Sequence, residues 1–72
     1  MKRKKDFIET IQKNSGLIHK VAAMYTSNTQ DKEDLSQEII YQLWKSVDSF
    51  KNHSSISTWM SRVALNVSIY QL

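Results

Sequence analysis

The stretch DKEDLSQEIIYQLWKSV, Asp31 to Val47, decides the fold. Leu35, Ile39, Leu43 and Val47 recur every fourth residue, which stacks them along one side of an α-helix. Asp31, Glu33 and Asp34 fall in the expected first turn, where the helix macrodipole favours anions. Lys45 falls in the last, where it favours cations. A helix with one aliphatic stripe must bury it against other elements. Phe50, just past the end, is expected to close that side of the core.

The sequence on either side supplies those elements. Upstream, Phe7, Ile8, Ile11, Leu17, Ile18, Val21, Ala22, Met24 and Tyr25 recur at spacings of three and four, predicting helix from about Lys5 to Tyr25. Asn14-Ser15-Gly16 interrupts that stripe, so a kink or a break into two helices is expected there. Thr26 to Gln30 is a polar connector, and Lys51 to Ser55 is a second. Ser54 or Ser55 suits the N-cap of a last helix that runs to about Tyr70. Its apolar face is expected to carry Ile56, Trp59, Met60, Val63, Val67 and Tyr70. With no proline and one glycine, the chain lacks the turn chemistry a sheet needs. The expected fold is all-α, a compact bundle of three helices, or four if the first one breaks.

Composition narrows the function classes. At 72 residues the chain is expected to be a single domain with a thin stability margin, roughly 3–5 kcal/mol. It has no cysteine, hence no disulfide and no thiolate metal site. His19 and His53 stand too far apart in the pattern to suggest a metal site. No secretory signal and no membrane span are read, so a cytoplasmic protein is expected. The net charge is +3, but four of the ten basic residues are Lys2, Arg3, Lys4 and Lys5. Without that run, which reads as a flexible solvated tail or a phosphate contact, the remainder is slightly acidic.

Two surfaces stand out. On a wheel of roughly 100° per residue, Asp34, Gln37, Glu38, Tyr41, Trp44 and Asp48 lie opposite Leu35, Ile39, Leu43 and Ser46. A solvated face needs charge; it does not need two large aromatics. Aromatics ringed by polar groups have the composition of a protein–protein hot spot, here for a partner carrying basic residues. The plainer alternative is that Tyr41 and Trp44 pack under the N-terminal segment while the carboxylates merely solvate. The second surface is the last helix, where Arg62 is the one charged residue after Ser54. Its outer face is expected to carry Thr58, Ser61, Arg62, Leu65, Ser68 and Ile69, with Asn66 at its edge. Hydroxyls, amides and Arg can bond base edges and phosphates. Lys51, Asn52, His53, Ser54 and Ser55 make a donor-rich loop that suits an unstacked base. An ordinary polar surface helix would look similar. Trp59, in line with Ile56 and Val63, is expected in the core.

Three segments together carry a resemblance: Glu33-Asp34-Leu35-Ser36-Gln37-Glu38-Ile39, Leu43-Trp44-Lys45-Ser46-Val47-Asp48-Ser49-Phe50, and Ser57-Thr58-Trp59-Met60-Ser61-Arg62-Val63-Ala64-Leu65-Asn66. They resemble region 2 of the bacterial sigma-70 family, most closely its extracytoplasmic-function (ECF) group. Leu17 to Ala22 and Tyr25-Thr26 fit the same pattern. The resemblance implies that Asp34, Gln37 and Glu38 contact the clamp helices of the largest subunit of core RNA polymerase, with Tyr41 and Trp44 beside them. It implies that Lys51 to Ser55 and then Thr58, Arg62 and Asn66 face the non-template strand of the minus-ten promoter element. Asn66 is the best candidate for reading a base near its upstream edge. Housekeeping members of the family carry a tandem aromatic pair that wedges the melted junction. The matching positions here look like Arg62 and Val63, implying weaker melting and stricter promoter choice. The family's second, minus-thirty-five-reading domain is not in this sequence, so an excised or truncated domain is expected.

No enzyme activity and no cofactor are expected, because the carboxylates spread along one helix instead of converging in a cleft. The rival is a regulatory module that binds polymerase or an anti-sigma factor as a decoy, without reading promoters.

Overall fold

The computed structural model describes residues 3–47 and 55–71. They form four α-helices: α1 (Arg3–Lys13), α2 (Ser15–Met24), α3 (Thr29–Ser46) and α4 (Ile56–Gln71). There is no strand among the described residues. The all-α bundle expected from the turn-poor sequence is the one observed, in its four-helix form.

Helix α1 starts at Arg3 and so takes in residues 3–5 of the basic run. The break after Lys13 is made by Asn14, at φ −111° and ψ 15°. The Asn14 backbone N–H is shared between the carbonyls of Thr10 and Ile11, and the Asn14 side-chain amide also donates to Thr10. Orphan carbonyls at the end of α1 are thereby satisfied. The Asn14 carbonyl then accepts from the Ile18 N–H and restarts the ladder as α2. Gly16, which the interrupted stripe implicates in the break, instead lies inside α2. A Cβ built on it meets nothing within 4 Å.

Helix α3 begins two residues earlier than the charge pattern suggests. Asn28 caps it from extended backbone (φ −145°, ψ 167°), with its side-chain oxygen accepting from the Asp31 N–H at 2.8 Å. Only Asp31 is therefore an acid of the first turn; Glu33 and Asp34 lie further along. Ser55 caps α4 by accepting from the Thr58 N–H at 3.1 Å, as its position before the apolar run suggests.

Helices α2, α3 and α4 pack against one another, and α1 lies alongside. The core holds Phe7, Ile18, Val21, Ala22, Leu35, Ile39, Leu43, Met60 and Ala64. Val47, Ile56, Trp59, Val63 and Val67 are half-buried against it. Two expectations for α4 are corrected. Tyr70, read as core, is 87% exposed, and Ser68, read as outer face, is 0% exposed. The buried ridge of α4 is Met60-Ala64-Ser68, one residue every turn. Small side chains at 64 and 68 let α4 approach its neighbours. The Ser68 hydroxyl is satisfied by the Ala64 carbonyl at 2.8 Å, so its burial leaves no polar atom orphaned. Ser36 repeats the device on α3, donating to the Lys32 carbonyl at 2.7 Å. Phe50 lies outside the described residues.

Candidate functional site

Helix α3 presents an outer arc opposite its buried row. Asp34, Gln37 and Tyr41 are exposed, Tyr41 at 54%, and Glu38 is half-buried at one edge of the arc. Asp34 accepts from the Gln30 amide at 3.0 Å, and Glu38 from the Gln42 amide at 2.9 Å. Both donors lie one turn away on the same helix. No described basic side chain pairs with either carboxylate.

The arc has two different borders. On one side Asp31, Asp34, Leu35 and Glu38 line a groove of about 730 Å³ against Met24, Tyr25, Thr26, Ser27 and Ser68. On the other, Gln37, Ile40, Tyr41 and Trp44 line a shallower, more apolar groove of about 420 Å³ with Phe7 and Ile8 of α1. The wheel puts acids and aromatics together; the bundle sets them on opposite shoulders of one helix. The packing expected under the N-terminal segment is seen for Trp44 and not for Tyr41. Trp44 packs edge-on against Phe7, with centroids 5.2 Å apart and planes at 65°, yet stays 39% exposed. Tyr41 faces out, with the Lys45 ammonium 5.3 Å from its ring centroid. Ile8, 54% exposed, joins the aromatic shoulder from α1. Sequence periodicity assigns it to the buried stripe, and nothing in the pattern marks it as surface.

Helix α4 carries the second surface. Ser55, Thr58, Arg62 and Asn66 are exposed along it, and Leu65 and Ile69 add an apolar strip. The Ser55 and Thr58 hydroxyls share a hydrogen bond at 2.8 Å, so the Thr58 side chain also serves the cap. Asn66 sits with Glu38, Gln42 and Val63 around a groove of about 370 Å³ between α3 and α4. Lys51, Asn52, His53 and Ser54 lie outside the described residues. Among the described residues no cluster of His, Asp and Glu could hold a metal ion, and no helix is long and apolar enough to cross a membrane.

The described parts of the three resembling segments lie on α3, the residue that follows it and α4, with Asp34, Gln37, Thr58, Arg62 and Asn66 exposed. The family described as Sigma-70 region 2 matches residues 10–72, a span that contains every candidate residue. The chain belongs to the sigma-70 region 2 family. Within it, this region 2 domain is similar to ECF members. It is 38% identical to the ECF RNA polymerase sigma factor SigG of Mycobacterium tuberculosis over 47 residues, which is 65% of this chain and 13% of SigG. It is 31% identical to the ECF RNA polymerase sigma factor SigW of Bacillus subtilis over 52 residues, 72% of this chain and 28% of SigW. The region 2 domain thus spans a small part of the length of either relative. No solved structure matches it at a significant level.

Proposed function

We propose that this domain serves transcription initiation as a sigma factor module, docking on core RNA polymerase and holding one strand of the promoter. The observation that carries the proposal is the outer arc of α3. Two carboxylates unmatched by any described cation stand on one shoulder of the helix, and an exposed Tyr41 and a half-seated Trp44 on the other. A basic helical partner satisfies both features. Its Arg or Lys side chains pair with Asp34 and Glu38, Gln37 bonds to its polar groups, and its apolar residues cover Tyr41 and Trp44. The partner proposed is the pair of clamp helices of the largest polymerase subunit, which the resemblance to sigma-70 region 2 implies.

The DNA-facing surface is then α4, with Thr58, Arg62 and Asn66, preceded by Lys51 to Ser55. The non-template strand of the minus-ten element is its ligand. Flipping a base costs a few kcal/mol in lost stacking and pairing. Hydrogen bonds to the base edge and contacts in the loop offset that cost once polymerase holds the strand nearby. Outside the basic run the chain is slightly acidic, so duplex affinity without polymerase is weak. The process has no covalent step and takes place in the cytoplasm, beside polymerase.

A second reading draws on exposed Leu65, Ile69 and Tyr70. An apolar strip on α4 suits a protein, such as an anti-sigma factor, better than a phosphate backbone. A labelled minus-ten single strand, offered with and without core polymerase, separates the two. Sequence-specific retention on the chain–polymerase complex supports promoter reading. Polymerase bound with no strand retained supports a decoy.

A further inference from the structure

One side-chain hydrogen bond ties the break between α1 and α2 to the start of the proposed DNA-facing helix. The Ser57 hydroxyl donates to the Asn14 side-chain oxygen at 3.0 Å across 43 residues of sequence. The side-chain hydrogen bonds of Thr10, Ser36 and Ser68, by contrast, each join residues four apart. The same Asn14 side chain donates its amide to Thr10 at the end of α1. Its backbone carbonyl receives the Ile18 N–H that begins the α2 ladder. One residue therefore meets three helices at a point. Ser57 is exposed and sits in the first turn of α4, beside the Ser55 cap and Thr58.

We infer that Asn14 is a positioning residue for promoter reading, acting through Ser57 to hold the first turn of α4 in register with the rest of the bundle. The physical reason is economy of anchors. The first core-filling side chain of α4 at full burial is Met60; before it, Ile56 and Trp59 are only half-buried. The first turn is held by the partial packing of Ile56 and Trp59, by the cap, and by the Asn14 contact, which ties it to the α1–α2 break. Losing the contact leaves α4 folded but lets its first turn sample more orientations, which lowers the fraction of molecules ready to bind a strand. This inference rests on the promoter-reading proposal above.

The test uses the full chain and four variants. Asn14→Ala and Ser57→Ala each remove one partner, and the double variant removes both. Ser57→Thr keeps a hydroxyl in place and is the rescue. Amide hydrogen exchange at Thr58 and Trp59 reads the tether itself, since their N–H groups bond to Ser55. Retention of a labelled minus-ten single strand by the chain–polymerase complex reads the consequence. Both alanine variants should exchange faster at 58 and 59 and weaken strand retention by about two- to tenfold, the worth of one hydrogen bond. The double variant should be no weaker than Asn14→Ala alone, which already lacks the contact, and Ser57→Thr should behave as wild type. Polymerase affinity should not move. Unchanged exchange at 58 and 59 overturns the tether. Faster exchange with unchanged strand retention overturns its role in reading, as does an equal loss of polymerase affinity, which would indicate general destabilisation. A wild-type complex that retains no strand refutes the promoter-reading proposal together with this one.

Discussion

Replacing Trp44 by Ala should damage the fold as well as any interface, and the structure says by how much. A fully buried Phe or Trp cut to Ala costs about 3–5 kcal/mol. Trp44 is 39% exposed, which scales the loss to about 2–3 kcal/mol. Part of that, about 0.5–1.5 kcal/mol, is the edge-on contact with Phe7. A bundle of this size has only about 3–5 kcal/mol in hand. At about 4–8 °C per kcal/mol, the melting temperature should fall by about 10–20 °C. Trp44→Phe keeps a ring over Phe7 and should lose about a third as much. Thermal unfolding followed by circular dichroism, with Phe7→Leu and the Phe7→Leu/Trp44→Phe pair completing a cycle, checks the assignment. A drop of less than about 4 °C in Trp44→Ala, or no coupling in the cycle, would refute the packing of α1 on α3 described here. One consequence is practical: loss of polymerase binding in Trp44→Ala does not isolate docking, whereas Trp44→Phe and the surface carboxylates can.

Gly16→Ala should stabilise the domain by about 0.5–1 kcal/mol, because Gly16 lies in α2 with open space around its Cα; a lower melting temperature would show that the residue is needed as glycine. Ser68→Leu should destabilise by about 1–3 kcal/mol or more through overpacking, while Tyr70→Ser should stay within about 0.5 kcal/mol, both read by urea unfolding. Asn66→Ala should relax base preference at the upstream edge of the minus-ten element more than it lowers overall strand affinity, measured with single strands varied at that base; a uniform loss would mean that Asn66 positions the backbone only.

Much of the fold was legible because helices announce themselves through period and caps. Leu35, Ile39 and Leu43 carry the period of α3 without ambiguity, and all three are buried. The α1–α2 break was legible from Asn14-Ser15-Gly16, although its agent is the side chain of Asn14 and not the freedom of Gly16. Helix α4 was harder. Residue type places Tyr70 inside and Ser68 outside, whereas packing needs small groups where α4 meets its neighbours. Ala64 and Ser68 supply them, and Tyr70 is turned out by the same rotation. The outer arc of α3 was legible as a set of residues but not as a shape. A wheel has no neighbours, so it cannot reveal that α1 brings Ile8 and Phe7 to the aromatic shoulder while Met24 and Tyr25 flank the acidic one. The Asn14–Ser57 contact was not legible at all, since nothing local links residues 43 apart.

The most direct test reverses charge at Asp34 and Glu38 together, by Asp34→Lys and Glu38→Lys, and measures binding to core RNA polymerase. Among the described residues each carboxylate bonds to an amide of its own helix, so helicity should be preserved. Affinity for polymerase should fall at least about a hundredfold, with like charges now facing the partner. A folded double variant that binds polymerase as tightly as wild type would contradict docking through the outer arc of α3.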